Sequence, residues 1–207
     1  MLTEAARSPI FFQMLVQMDM NCPDGMPLVW IGKYRRRLIG RVAGPDFMPA
    51  FCQAISESGY RHFFFGGGDG VAEKVISSLR RSCPSLAVAG WYSPPFRPIT
   101  QEEDQDIVRT INESNADIVW VCLGCPKQEI WMAEHRDRIN VRLMLAVGMA
   151  FDVVAGDKER APASFQVSGM EWMFRLMTDP KRLLKRYLYS NSFFLWTLAR
   201  SAIVGNK

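Results

Sequence analysis

The sequence predicts an α/β fold built on a mostly parallel sheet with helices on its faces and a basic helical appendage at the C-terminal end. Three observations predict it. Short β-branched or aromatic runs alternate with stretches of helical apolar spacing between residues 61 and 148, at the repeat of about 30 residues typical of β-α units. Glycine follows each of the clearest runs, at Gly66, Gly124 and Gly148. Positive charge gathers behind this region, beginning at Arg175. Together they imply a Rossmann-like core over residues 1–165 and a membrane-associating appendage over 166–207.

The elements follow in order. Residues 9–20 are expected as a helix leading to the Cys22-Pro23-Asp24-Gly25 turn. Arg61-His62-Phe63-Phe64-Phe65 is a short strand stopped by three glycines, and Val71, Val75 and Leu79 then recur at helical spacing. Leu86 to Gly90 is a second strand, running into a Pro-rich loop. Thr100 with Glu103 three positions later is a capping box for a helix through Asn112. Asp117 to Leu123 is a buried strand by its length and β-branching, and Lys127 to Arg138 a helix with Ile130, Trp131 and Ala133 as its apolar members. Arg142 to Val147 is the fourth strand.

Composition excludes several classes. At 48% hydrophobic and 22% charged residues the chain of 207 residues is globular, neither disordered nor collagen-like. No stretch reaches the roughly 18 apolar residues of a membrane span. Glu4, Arg7 and Asp19 replace the pattern of a secretory signal, so a cytoplasmic chain is expected. Five cysteines without framework spacing fit a reducing compartment. Cys122 and Cys125 form C-x-x-C, but Cys122 falls within a strand and not at a helix start, and no second ligand pair for zinc is present.

Charge distribution is more informative than its sum. The chain carries +4, whereas residues 175–200 alone carry +5, from Arg175, Lys181, Arg182, Lys185, Arg186 and Arg200 against Asp179. Such a patch asks for an anionic partner. Asp179-Pro180 can start a helix with Leu183, Leu184, Tyr187 and Leu188 on one arc and Lys181, Arg182, Lys185 and Arg186 on the other. Phe193, Phe194, Leu195 and Trp196 follow. A basic amphipathic helix with aromatic bulk suits an anionic membrane surface better than nucleic acid, which is not expected as a partner. Packing on the domain, or on a neighbouring subunit in a homo-oligomer, is the alternative.

Ligands of parallel sheets bind beyond the carboxyl ends of the strands, and the informative residues fall there. Gly66-Gly67-Gly68-Asp69-Gly70 can bring backbone N–H groups to a phosphate, or be a tight turn. Gly124-Cys125-Pro126-Lys127-Gln128-Glu129 places a cation, an amide and a carboxylate in the first turn of a helix, where lysine opposes the helix dipole unless an anion lies nearby. Asp152, just past the fourth strand, can bind sugar or ribose hydroxyls or cap the next turn. In the Pro/Gly-bounded turn, Asp24 can serve as a general base or as a turn former. Arg41 and Asp46, around Gly44-Pro45, can bind a sugar or form a local ion pair.

These stretches, together with Gly90-x-Tyr92-Ser93-Pro94-Pro95, Arg160-Ala161-Pro162 and Glu171-Trp172-x-x-Arg175-Leu176, resemble in order and spacing those of the WecG/TagA/CpsF glycosyltransferases over roughly residues 20–190. The resemblance implies transfer of a sugar, such as N-acetylmannosamine, its uronic acid or glucuronic acid, from a UDP-sugar to a polyprenyl-diphosphate-linked saccharide at the inner membrane face. Inversion is implied, with no cofactor and no metal. The one Asp-x-Asp, Asp104-Gln105-Asp106, agrees, because residues two apart on a helix point about 200° apart. By position, Asp24 resembles the catalytic base and Gln128 the active-site amide. Tyr92 and Asp152 resemble the uridine side of the pocket, with Arg41, Asp46, Gly66, Gly67, Gly124, Lys127 and Arg160 as further substrate contacts. Arg175, Arg182 and Arg186 resemble the arginines of the family's C-terminal appendage that meet the diphosphates. Family members carry a longer stretch before the Pro-Asp-Gly turn, with a strand and a Thr-x-Asn motif, where 23 residues precede Asp24 here. The residues leave one alternative, a catalytically impaired nucleotide-sugar-binding module of the same fold.

Overall fold

The computed structural model describes residues 1–181, 183 and 184. Its helices are α1 (Leu2–Arg7), α2 (Pro9–Val16), α3 (Met26–Tyr34), α4 (Gly44–Ala54), α5 (Val71–Ser82), α6 (Gln101–Glu113), α7 (Lys127–His135), α8 (Ala150–Val154), α9 (Ala163–Val167) and α10 (Glu171–Thr178). Its strands are β1 (Arg61–Gly66), β2 (Ala87–Tyr92), β3 (Ile118–Cys122) and β4 (Leu143–Ala146). The chain forms two compact units, one of Met1–Asp19, Gly25–Ile39 and Arg160–Lys207, the other of Met20–Asp24 and Gly40–Glu159. Neither is a single stretch of sequence.

The second unit holds the sheet. All its strand pairs are parallel, in the order β2-β1-β3-β4, the arrangement expected from β-α alternation. Side chains alternate along each strand. Phe64, Ile118 and Trp120 enter one core with Met48, Cys52, Val75, Leu79 and Phe151, while Phe63, Phe65, Val119 and Val121 enter the other with Ile107, Ile111 and Trp131. Helix α5 thus covers one face, with α4 and α8, and α6 and α7 cover the other. Because β1 lies between β2 and β3, the strand order reverses there, and the switch point at which ligands of such sheets bind falls beyond the carboxyl ends of β1 and β3.

Some elements differ from the sequence reading. Strand β2 continues two residues beyond Gly90, because the β1 ladder runs on to the pair Phe65 with Tyr92. Gly90 is not a strand stop but a clearance: a Cβ there would lie 2.9 Å from the Phe63 ring. Helix α4 forms where a Gly-Pro turn is expected, even with Pro49 inside it. Its Phe47 and Phe51 rings pack at 6.2 and 5.7 Å from Trp120, and that aromatic burial outweighs the missing helix hydrogen bond. Helix α2 ends at Val16, short of the expected Met20.

The capping box at α6 is present in full, with Glu103 N–H donating to Thr100 Oγ1 at 3.2 Å and Thr100 N–H to Glu103 Oε2 at 2.8 Å. The other unit is helical. Phe11, Leu15, Val29 and Leu183 are buried, and Phe165 and Phe174 meet edge to face at 5.9 Å. No described helix is long and apolar enough to cross a membrane. The expected basic helix beyond Leu184, with Lys185, Arg186 and Phe193 to Trp196, and the Arg182 side chain, lie outside the described residues.

Candidate active site

The site residues of the sheet unit gather at the carboxyl ends of its strands. Gly66 closes β1 with φ +107°, and a Cβ on it would stand 2.3 Å from the carbonyl oxygen of Cys122. Only glycine lets β1 and β3 end this close together. Gly67 N–H donates to that same oxygen at 3.0 Å, so this donor serves the sheet end and not an anion. Gly68 and Gly66 carbonyls both lie 3.4 Å from Ser93 Oγ, which ties the glycine turn to the loop after β2. Between the two lies an open groove of about 300 Å³, lined by Asp69, Gly70, Glu73, Trp91, Tyr92 and Ser93. Tyr92 stacks on Phe65 at 6.3 Å, so one expected nucleoside contact forms part of the groove wall. Trp91, half exposed beside it, is a lining residue that the sequence reading omitted.

Asp24 and Arg41 come together. Arg41 Nε donates to the Asp24 carbonyl at 2.7 Å, and its guanidinium lies 3.5 Å from the Asp24 carboxylate. Val42 N–H donates to Pro23 O at 2.9 Å. The turn is thus held to residues 41–42, which run into α4. Gly44 at the start of α4 abuts the end of β4, where a Cβ would meet Val147 O at 2.9 Å. The Asp24 side chain is 59% exposed and open to a ligand, while Arg41 is largely covered. Asp46 occupies the first turn of α4, where the helix dipole favours a carboxylate.

Beyond β3, Gly124 (φ +76°) accepts from Gln128 N–H at 3.0 Å and opens α7. Lys127 is exposed, but Gln128 and Glu129 are buried. Gln128 Nε2 donates to Glu129 Oε1 at 3.0 Å, and the amide lies against Gly148 beyond β4. Helix α7 buries two polar side chains beside Trp131, where apolar spacing alone points to Ile130 and Ala133. Asp152, in the first turn of α8, pairs with Lys158. This ion pair is a partner that the sequence reading did not assign.

Cys122 Sγ donates to Gly148 O at 2.8 Å, and burial, with Asp152 nearby, pushes its thiol up to about 12. Burial raises Cys125 as well. Both sulfurs remain thiols at neutral pH, and the C-x-x-C carries no thiolate chemistry. Asp104 and Asp106 face different partners, His135 and Arg138 for the first and Arg109 for the second. Among the described residues no three His, Cys, Asp or Glu side chains form a cation cluster.

Arg160 and Arg175 belong to the helical unit, where both converge on one buried carboxylate. Glu171 Oε1 accepts from Arg160 at 3.0 Å and from Arg175 at 2.5 Å, and Arg160 also donates to Gln166 Oε1 at 3.1 Å. Glu171 holds two guanidiniums in one place, a role signalled in sequence only by its i, i+4 spacing to Arg175. Arg182 and Arg186 lie outside the described residues.

The family model described as "Glycosyl transferase WecG/TagA/CpsF family" matches residues 1–207. The chain is also similar to the N-acetylglucosaminyldiphosphoundecaprenol N-acetyl-beta-D-mannosaminyltransferase of Bacillus spizizenii (strain ATCC 23059 / NRRL B-14472 / W23). The two are 31% identical over 180 residues, which cover 86% of this chain and 68% of that protein.

Proposed function

Because the chain belongs to the WecG/TagA/CpsF family of glycosyltransferases, we propose that it moves one sugar, with inversion, from a UDP-sugar to a polyprenyl-diphosphate-linked saccharide at the inner face of the cell membrane. The observation that carries this reading is the Asp24 turn: a solvent-open carboxylate pinned by Arg41 and by the Val42 to Pro23 hydrogen bond. A carboxylate so held can take the proton of an acceptor hydroxyl as that oxygen attacks the anomeric carbon. The new C–O bond forms on the face opposite the leaving group, and the old one breaks with its electron pair departing on UDP.

The groove beside Tyr92 has an aromatic wall suited to a nucleoside base, while Asp69 and Glu73 on its lining leave the diphosphate to be met elsewhere. Gln128 and Asp152 offer the polar contacts for sugar hydroxyls, although Asp152 must share its carboxylate with Lys158. Roles for Arg160, Arg175, Arg182 and Arg186 toward the diphosphates rest on the family resemblance. The name of the Bacillus relative, a mannosaminyltransferase acting on a lipid-linked diphosphate, favours an N-acetylmannosamine donor and an N-acetylglucosaminyl acceptor.

The test is transfer by the purified protein to a synthetic polyprenyl-diphosphate-linked acceptor with UDP-N-acetylmannosamine, its uronic acid and UDP-glucuronic acid. Turnover of one donor with an inverted anomeric linkage is expected. Binding of UDP-sugars with no transfer of any of them would overturn the enzyme reading in favour of a binding module.

A further inference from the structure

The first turn of α7 carries an arrangement whose chemistry is more specific than a polar contact. Gln128 is 7% exposed and Glu129 6%, and they share one hydrogen bond, from Gln128 Nε2 to Glu129 Oε1 at 3.0 Å. With the amide nitrogen donating to Glu129, the amide oxygen faces away. That oxygen is buried and lies 3.5 Å from where a Cβ on Gly148 would be, so a side chain at 148 would crowd it. Gln128 Oε1 and Glu129 Oε2 have no hydrogen-bond partner among the described residues. Buried acceptors in folded proteins are nearly always paired with donors. Here two stand side by side at the start of the helix that follows β3, beyond the sheet end where the strand order reverses.

We propose that Gln128 and Glu129 act as a coupled pair of acceptors that reads two hydrogen-bond donors of a pyranose ring, with Glu129 both orienting the Gln128 amide and contacting the sugar itself. The inference rests on the glycosyltransferase reading and deepens it. The pair offers two acceptors, which suit the hydrogen-bond donors of a sugar and not the oxygens of a phosphate. It selects neutral donors: vicinal hydroxyls, or a hydroxyl and the N–H of an acetamido group. Charge recognition is left to exposed Lys127, one residue earlier on the same turn. Either the donor sugar or the acceptor sugar can supply these groups, and kinetics distinguish them.

The decisive variant is Glu129→Gln, which keeps size and shape but replaces one acceptor with an N–H that faces the ligand's donors. Expected is a rise of about tenfold in the KM of one substrate, equivalent to about 1.4 kcal/mol, with UDP affinity within about twofold of the parent. A rise confined to the UDP-sugar assigns the pair to the donor sugar; a rise confined to the lipid-linked saccharide assigns it to the acceptor. The exchanged variant, Gln128→Glu with Glu129→Gln, restores one internal hydrogen bond and two outward acceptors, and should recover most of the lost affinity. A folded Glu129→Gln protein with both parental KM values overturns the proposal. Should that variant not fold, deoxy and N-substituted sugars tested on the parent decide instead. Loss of about tenfold in kcat/KM on removing one hydroxyl or N–H supports the pair, and no loss at any position of either sugar overturns it. A parent that transfers no sugar from any donor overturns the underlying reading, which separates that failure from this one.

Discussion

Gly66 at the end of β1 and Cys122 at the end of β3 approach so closely that a Cβ on Gly66 would fall 2.3 Å from the Cys122 carbonyl oxygen. That oxygen also accepts the Gly67 N–H at 3.0 Å, so one carbonyl organises the point from which the glycine turn and α7 diverge. A side chain at 66 would push the ends of the two strands apart.

Gly66→Ala is therefore expected to destabilise the protein by about 3 kcal/mol or more, combining overpacking against backbone with a positive φ. Gly70→Ala, at φ +74° with nothing within 4 Å of a Cβ, should cost only about 1 kcal/mol. Urea denaturation of the two variants checks the difference, and equal losses would show that the Cys122 contact is relieved cheaply.

Asp24→Asn should lower transfer by about 10²- to 10⁴-fold while UDP affinity changes by no more than a few-fold. The amide keeps the turn and the bond from Arg41 to the backbone carbonyl but cannot take a proton. Steady-state transfer and UDP calorimetry on the same preparation measure both, and parental activity would remove Asp24 from the reaction.

UDP should bind in the presence of chelator. Asp104 and Asp106 are committed to His135 with Arg138 and to Arg109, respectively, so the phosphates must be met by arginines and backbone N–H groups. Calorimetry with and without EDTA tests this; binding and turnover both lost with the metal would require a cation.

His62 sets an acid limit on stability. Its Nδ1 accepts from Trp120 Nε1 at 3.0 Å, and burial, opposed by the nearby Asp117, lowers its pKa from 6.5 to about 4. The folded value is depressed, so the unfolded chain takes up the proton first. The stabilising contribution is present above pH 6.5 and is lost as pH falls toward 4. His62→Phe should remove this part of the pH dependence while costing stability at neutral pH, because the Trp120 N–H loses its acceptor. Denaturation midpoints at pH 7, 5.5 and 4.5 for parent and variant give the difference; parallel profiles would contradict the assignment.

Removal of residues 179–207 should abolish binding to anionic liposomes and lower activity on a lipid-linked acceptor. Basic residues near an acidic surface contribute about 1 kcal/mol each, and salt should weaken the attachment without eliminating it, since salt does not screen the apolar contribution expected of Phe193, Phe194, Leu195 and Trp196. Reversing Arg182 and Arg186 to Glu should release the protein and impair turnover of a soluble acceptor analogue. Sedimentation of the double variant at the parental level would make the segment a packing element; full activity on the soluble analogue would discard its role at the diphosphate.

The sequence by itself determined what depends on neighbours along the chain. The β1 and β3 runs, the Thr100 and Glu103 capping box and the glycines ending β1 and β3 are local signals, and each has its expected place in the fold. From them follow the parallel sheet and the end at which ligands bind, while the motifs in their order point to the family. Tertiary structure alone decided what depends on contacts between distant residues. Proline at 45 and 49 argues against α4 until Trp120, some 70 residues later, offers its ring to Phe47 and Phe51. Gly90 reads as the end of a strand until Phe63 shows why it must be glycine. Gln128 and Glu129 read as an amide and a carboxylate in the first turn of a helix, and Glu171 as one residue of a motif, with no sign that they are buried. Packing buries all three: Gln128 and Glu129 hydrogen-bond each other, and Glu171 takes Arg160 from outside its own helix as well as its i, i+4 neighbour Arg175.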